Sequence, residues 1–197
     1  MFERNSRFDR ALGSSARAAV GRELVVIPSE GGAGPLRFLV SENLKRLIQH
    51  LRLVGFDTVG VSLEAVSAAS SQTLLDRAKE EHRILLLSDS EVQRLSIDEG
   101  ERIKGVSDDA SDVQFRQVLQ SLDALPAARN GIGFLTRCLQ CNVRLTPFPK
   151  DLARERLPLE IVENHDDFLI CTRCERMHWM GDHTERLRGW LKKVLAE

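Results

Sequence analysis

The sequence has no long hydrophobic run, no secretory signal and no large charge of either sign. No apolar stretch approaches the roughly 18–20 residues that a membrane-spanning helix needs, and no secretory hydrophobic region follows Met1. The formal net charge is −1, and no segment has the strong positive excess that is typical of nucleic-acid-binding proteins. We therefore expect an intracellular, cytoplasmic protein, in which any contact with nucleic acid depends on local clusters of charge.

The first 35 residues differ from the rest of the chain. They carry spaced arginines among small and polar residues and end in a glycine-rich stretch at 31–35, which predicts a flexible N-terminal extension over residues 1–35. An organelle-targeting peptide over residues 1–30 is the alternative, because such peptides are rich in Arg and Ser. They are also poor in acidic residues, so Glu3 and Asp9 weaken that interpretation.

From residue 36 onward, short apolar runs alternate with stretches of helical periodicity. Strands are predicted at 36–40, 56–61, 83–87 and 103–106, and helices at 42–54, 71–81, 91–95 and 112–122. The alternation predicts an α/β fold, with an open parallel sheet flanked by helices, over residues 36–130. In the first helix, the apolar residues should be buried and the polar residues between them exposed. The buried set is Leu44, Leu47, Ile48 and Leu51, and the exposed set is Lys45, Gln49 and Arg52.

All four cysteines lie in the last third of the chain. They form two pairs, Cys138-x2-Cys141 and Cys171-x2-Cys174, with 29 residues between the pairs. Two such pairs can place four thiolates around one structural Zn²⁺, and a long inserted loop accommodates the gap. We therefore predict a four-cysteine zinc ribbon with a terminal helix over residues 131–197. The alternatives are two disulfides, which need an oxidising compartment, or unrelated buried thiols.

Basic and aromatic residues surround the cysteines. Arginines suit contacts with phosphate, and an aromatic ring can stack on a base. The residues that fit these roles are Arg137, Arg144, Arg173, Arg176 and Trp179. The alternative is an ordinary solvated face with a buried tryptophan. His178 and His183 follow the second cysteine pair and are either ligands of a degenerate second metal site or surface residues.

Several motifs between residues 36 and 190 resemble those of one nuclease family. They are FLV-x-ENL at 38–44, LRLVGFDT at 51–58, RILL-x-x-D at 83–89, TRC-x2-CN at 136–142, and the second cysteine pair followed by Trp179, Gly181 and His183. Together they resemble the Mut-seven C-terminal RNase domain family, in which a PIN-like nuclease domain is fused to a zinc ribbon.

The resemblance implies a metal-dependent ribonuclease that acts on single-stranded RNA. Carboxylates at the carboxyl ends of parallel strands would hold Mg²⁺ or Mn²⁺, which activates water and offsets charge on the scissile phosphate. Asp89 matches the family pattern, Asp57 is also in register, and Asp108 or Asp109 could add a carboxylate. The alternative roles are a helix N-cap for Asp89 and a structural ion pair, with an arginine such as Arg52, for Asp57.

The sequence departs from the family pattern at the acidic site. Ser41 stands where an aspartate is expected after the first strand, residues 70–72 lack the acidic residue expected at the second helix, and Leu87 replaces a threonine. A site with so few carboxylates would hold a metal weakly. The sequence therefore indicates an RNA-processing protein with a degenerate acidic site, or else a catalytically inactive RNA- or protein-binding module, or a structural partner in a larger assembly.

The placement of the acidic residues suggests where RNA would bind. Asp57, Asp89 and Asp108 lie at or near the ends of predicted strands, so we expect them to gather at one edge of the sheet. The ribbon follows the sheet after a short connection near residues 126–133, so it should reach the same edge. We therefore predict a groove for single-stranded RNA, with the strand ends as one wall and the basic face of the ribbon as the other.

Overall fold

The computed structural model describes residues 36–63, 71–95, 97, 102–129 and 133–196. The flexible extension predicted for residues 1–35, and the targeting peptide weighed for residues 1–30, lie outside the described residues. No helix in the described ranges is long and apolar enough to cross a membrane.

A parallel four-stranded sheet flanked by helices forms the first part of the described chain, which confirms the predicted α/β class. Its strands are β1 (Arg37–Ser41), β2 (Asp57–Val61), β3 (Ile84–Ser88) and β4 (Ile103–Val106), in the spatial order β2-β1-β3-β4. A 3₁₀ turn (Glu42–Leu44) precedes the helices, which are α1 (Lys45–Leu53), α2 (Ser71–Glu80), α3 (Asp89–Leu95), α4 (Ser111–Ser121) and α5 (Leu125–Arg129).

The strand register defines two edges of the sheet. Arg37 pairs with Asp57 at the amino ends of β1 and β2, whereas Ser41 pairs with Val61 at their carboxyl ends. Between β3 and β4, Ser88 pairs with Val106 at the same carboxyl edge. Because all the pairings are parallel, every residue that directly follows a strand lies at the carboxyl edge, and every residue that opens one lies at the amino edge.

The sheet is covered on both faces because side chains alternate along each strand. Phe38 and Val40 of β1 contribute to one core cluster, which also contains residues of α1, α4 and α5. Leu39, between them, contributes to a second cluster with residues of α2 and α3. Strand β3 is buried along its whole length, as expected for a strand covered on both faces.

Helix α1 buries the predicted apolar face but departs from prediction at one polar residue. The four apolar residues at helical spacing are all buried, and Lys45 and Gln49 are exposed as expected. The prediction that Arg52 is exposed is wrong, since only 9% of its surface is accessible. Its guanidinium donates to three backbone carbonyl groups, two of which lie far away in the sequence.

The remainder of the chain forms a small antiparallel sheet and a long final helix. The strands β5 (Thr146–Phe148), β6 (Phe168–Ile170) and β7 (Met177–Trp179) pair in that order, with α6 (Lys150–Ala153) and α7 (Leu159–Asn164) between β5 and β6. Helix α8 (Asp182–Ala196) packs against α4 and α5, so its apolar residues join the main core. Side chains from residues 36–130 and from residues 131–197 share one core cluster. The division of the chain into two units at these bounds stays a prediction.

Candidate functional site

A buried carboxylate lies at the carboxyl edge of the main sheet. Glu91, in the first turn of α3, is only 5% exposed. Its Oε1 accepts hydrogen bonds from Ser41 Oγ at 2.6 Å and Asn43 Nδ2 at 2.7 Å, and its Oε2 accepts one from the Ser88 N–H at 2.9 Å. Ser41, where the family resemblance predicts an aspartate, therefore donates to a carboxylate of α3, the helix that directly follows the neighbouring strand β3.

Glu91 is ionised despite its burial. Burial raises the pKa of its carboxyl group, but the hydrogen bonds from Ser41, the Ser88 N–H and Asn43 outweigh it and hold the pKa below its usual value. Sequence reasoning missed this residue. The available signal was its position, two residues after Asp89 and at the start of the helix predicted at 91–95, which follows the third strand at the edge where side chains of a parallel sheet converge.

Two of the predicted catalytic residues lie at the same edge. Asp89 is the first residue of α3 and is exposed, and Asp108 is exposed after the end of β4. Asp109, beside it, accepts a hydrogen bond from Ser107 Oγ at 2.6 Å. Within the described ranges these carboxylates do not form a group of three close enough to share one metal ion.

The prediction that Asp57 joins them is wrong. Asp57 opens β2 and therefore lies at the amino edge, at the far end of a five-residue strand. Its carboxylate accepts hydrogen bonds from Arg83 Nη1 at 3.0 Å, Arg37 Nε at 3.2 Å and Asn142 Nδ2 at 2.7 Å. Burial raises its pKa, but the hydrogen bonds from Arg83 and Asn142, together with the charges of Arg83 and Arg137, prevail and lower it to about 2. Asp57 thus forms a structural ion pair, with Arg83 and Arg37 as partners rather than Arg52.

The first cysteine pair docks against this amino edge. Arg52 of α1 donates from Nη1 to the carbonyl oxygens of Leu139 and Gln140, both at 2.9 Å, which lie in the turn between Cys138 and Cys141. The same guanidinium donates from Nε to Thr58 O at 3.0 Å. The buried arginine therefore joins α1, β2 and the cysteine turn.

Two glycines allow the backbones to approach closely at this contact. Leu135 N–H donates to Leu53 O at 2.8 Å, and a Cβ on Gly133 would overlap the Val54 carbonyl. Gly55 has a φ of +94° and lies against Gly133, so a side chain there would be both strained and crowded.

This docking overturns the predicted groove. The first cysteine pair lies at the amino edge with Asp57, whereas Asp89, Asp108 and Glu91 lie at the carboxyl edge, so they do not form facing walls. Arg137, predicted to contact RNA, is half-buried and donates to Gly55 O at 3.0 Å and Asn142 O at 2.8 Å.

The other predicted RNA contacts have different surroundings. Arg144, Arg173 and Arg176 are exposed. Trp179 is half-buried in β7, where it packs against the small core of the C-terminal sheet. Of the two histidines after the second cysteine pair, His178 is half-buried in β7 and His183 is exposed on α8.

The four cysteines come together as predicted. Their sulfur atoms all lie within 4.8 Å of one another, and Cys138 Sγ is 3.7 Å from Cys174 Sγ. A tetrahedral zinc with Zn–S bonds of about 2.3 Å separates its sulfurs by about 3.8 Å, so the donor set and spacing fit a structural metal such as zinc. Across the described ranges, no other group of three or more His, Cys, Asp or Glu side chains is close enough to share a metal ion, and the two histidines belong to no such group.

The comparison with known families agrees with this architecture. The model of the Mut7-C RNAse domain matches residues 36–191. The chain belongs to the Mut7-C RNase domain family. No curated protein and no solved structure matches the chain. Membership of this family indicates a nuclease-like, RNA-related function. The matched residues include both the parallel sheet and the cysteine site.

The motifs that suggested the family divide into two structural groups. Those at 51–58 and 136–142 supply Arg52, Asp57 and Asn142, which fasten the Mut7-C sheet to its first cysteine turn. Those at 38–44 and 83–89 end at the carboxyl edge, where Ser41 and Asp89 lie. The candidate site for chemistry is therefore the carboxyl edge, and the amino edge stabilises the fold.

Proposed function

We propose that this chain is an RNA-processing protein of the PIN-like class, which binds single-stranded RNA at the carboxyl edge of its sheet and hydrolyses it slowly. Asp89 and Glu91 are the two carboxylates that carry the proposal, and Asp108 lies nearby after β4. Zn²⁺ in the four-cysteine site has a structural role, because four thiolates leave no open position for a substrate.

The observation that carries the proposal is the hydrogen bond of 2.6 Å from Ser41 Oγ to Glu91 Oε1. A hydroxyl at this position supplies a proton where an aspartate would supply a second negative charge. It leaves one buried carboxylate, ionised and oriented, at the point where open parallel sheets place their sites. The acidic site is therefore reduced but retains a charged oxygen ligand.

In this proposal, Asp89 and Glu91 hold one divalent cation weakly. Mg²⁺ usually keeps several waters and uses one or two carboxylates together with substrate phosphates. Asp89 and Glu91 would provide those carboxylates, and Oε2 of Glu91 accepts the Ser88 N–H at 2.9 Å, leaving capacity for another contact. Mg²⁺ or Mn²⁺, when bound, supplies a polarised water and offsets charge on the phosphate. The protein side chains orient the ion and hold it against the strand ends.

An inactive RNA-binding module is the second candidate. It is favoured by the three donors on Glu91, because all are uncharged and already satisfy the carboxylate without a cation. Protein binding without RNA is a further form of the same alternative.

Cleavage of a labelled single-stranded RNA by the full chain, with and without Mn²⁺, tests the proposal. We expect slow cleavage that needs Mn²⁺ and is lost in Asp89→Asn, while RNA affinity and melting temperature stay near wild type. Asp151→Asn, an exposed carboxylate of α6, is the matched control and should retain cleavage. RNA binding without cleavage in any metal would establish the inactive module instead, and absence of RNA binding would reject both.

A further inference from the structure

A shallow depression opens at the carboxyl edge beside Glu91. It lies between the turn that follows β1 and the beginning of α4. Its lining includes Asn43, Lys45, Arg46, Asp109, Ser111 and Gln114. Asn43 belongs to both features, because the residue lines the depression and its Nδ2 donates to Glu91 Oε1 at 2.7 Å. The depression is therefore continuous with the candidate site.

The depression carries an excess of positive charge. Lys45 and Arg46 are the first two residues of α1, and both are exposed. Among the described residues, no hydrogen bond or ion pair holds either side chain. The single acidic residue of the lining is Asp109, whose carboxylate already accepts the Ser107 hydroxyl at 2.6 Å. Two long cationic side chains are thus available to a ligand next to the retained carboxylates.

We propose that Lys45 and Arg46 form a phosphate subsite that holds the backbone of single-stranded RNA beside Glu91. The inference rests on the proposed function and specifies where the RNA strand enters the site. Lysine contributes a point charge, and arginine can donate two parallel hydrogen bonds to phosphate oxygens. The lining residues are mostly polar or charged, with Leu44 and Ala110 as the apolar ones, which favours a phosphodiester backbone over an apolar segment of a protein partner.

This assignment differs from binding by the arginines of the ribbon. Arg137 is used for contacts within the protein, and the first cysteine turn docks at the opposite edge of the sheet. Lys45 and Arg46 lie instead at the edge that holds Asp89 and Glu91, so a strand bound there would pass the carboxylates. Removing two positive charges from one of these surfaces should therefore weaken RNA binding only if the RNA binds at that surface.

Binding of a fluorescein-labelled oligouridylate to the full chain, measured over a range of salt concentrations, tests the subsite. We expect Lys45→Ala/Arg46→Ala to weaken binding about tenfold at low salt and to reduce the slope of log K against log salt by about 1.4, since each phosphate contact on a single strand contributes about 0.7. The exchange Lys45→Arg/Arg46→Lys keeps both charges and should retain more of the affinity and of the salt dependence than the double-alanine variant.

Two further double variants provide the controls. Lys192→Ala/Lys193→Ala removes the same charge from adjacent exposed residues of α8 and should bind like wild type. Arg173→Ala/Arg176→Ala removes the ribbon charges. Wild-type affinity in the Lys45/Arg46 double-alanine variant, with loss in the ribbon variant, would overturn the subsite while leaving RNA binding intact. A wild-type chain that binds no oligouridylate would overturn both the subsite and the proposed function.

Discussion

Asn142 Nδ2 donates a hydrogen bond of 2.7 Å to Oδ1 of Asp57, although the two residues are 85 positions apart. The Asn142 Oδ1 accepts the Thr58 N–H at 2.9 Å, so one side chain satisfies both a carboxylate and a backbone donor of β2. Asn142 directly follows Cys141 and has a φ of +62°, a left-handed conformation that asparagine tolerates well. The relationship links the geometry of the cysteine site to the start of the sheet.

Replacing Asn142 by glycine tests this link without straining the backbone. Glycine keeps the positive φ but removes both side-chain hydrogen bonds, one of them to a charged group, so we expect a loss of about 2 kcal/mol in the free energy of unfolding. The measurement is urea denaturation of metal-loaded protein.

Glu175→Gly is the matched control for this substitution. Glu175 follows the last cysteine of the second pair and has a φ of +56°, but its side chain makes only an exposed ion pair of 3.6 Å with Arg156. We expect this variant to remain within about 0.5 kcal/mol of wild type. Equal effects of the two substitutions would show that the Asn142 side chain contributes nothing beyond its backbone conformation.

Removal of the metal should affect the parallel sheet as well as the ribbon. The purified chain should contain about one zinc per molecule. Chelation, or Cys171→Ser, should release the cysteine turn that Arg52 and Asn142 hold against the sheet. We expect faster hydrogen exchange in β2 and a lower melting temperature, because metal binding contributes directly to folding free energy. Protein without zinc that carries two disulfides by mass would contradict the zinc assignment.

The sheet and the cysteine cluster were predictable because they depend on local patterns. Alternating strand and helix periods indicated a parallel α/β sheet, and two cysteine pairs of equal spacing indicated one shared site. The burial of Arg52 was not predictable, since two of its three carbonyl partners lie 87 and 88 residues later in the chain. Its spacing in α1 is that of an ordinary exposed polar residue. Its burial results from the cysteine turn that packs against α1.

The same limit applies to the acidic residues. Asp57 lies at the start of the strand predicted at 56–61 and Asp89 follows the strand predicted at 83–87, which places them at opposite edges. Whether a carboxylate opens a strand or follows one therefore decides at which edge of the sheet it lies. Glu91 was missed because its burial depends on Ser41, 50 residues earlier. The roles of the exposed ribbon arginines and the cytoplasmic location stay predictions.

The depressed pKa of Asp57 predicts a defined pH dependence of stability. A carboxyl pKa of about 2, against an ordinary value of 3.8, contributes about 2 kcal/mol that is present above about pH 4 and is lost as the pH falls towards about 2. The free energy of unfolding should therefore differ between wild type and Asp57→Asn most strongly above about pH 4. This difference should shrink in acid.

Comparing the two proteins at each pH cancels losses that they share, such as release of metal when the cysteine thiolates are protonated. Asp151→Asn, with its exposed carboxylate, should match wild type throughout the same range. A difference between wild type and Asp57→Asn that stays constant from about pH 5 to about pH 2 would show that Asp57 stabilises the fold by shape rather than by charge.

Placing at position 41 the aspartate that the family resemblance predicts should make the site depend on a cation. Ser41 is 1% exposed, and its hydroxyl lies 2.6 Å from Glu91 Oε1, so Ser41→Asp would set two buried carboxylates against each other. Without a divalent ion we expect a loss of about 3 kcal/mol in the free energy of unfolding, because a charged group loses its donor and gains a repulsive neighbour.

Mn²⁺ should reverse this loss and raise the rate of RNA cleavage in the same variant, because a cation that binds the folded state stabilises it by mass action and the added carboxylate is a further ligand. Ser41→Asn has a similar shape without the charge and should gain neither effect. The measurements are melting temperature across a Mn²⁺ titration and cleavage of single-stranded RNA at saturating Mn²⁺. If Mn²⁺ stabilised the two variants equally, the carboxyl edge would not be a cation site, and the replacement of the family's aspartate by Ser41 would not explain a weakened activity.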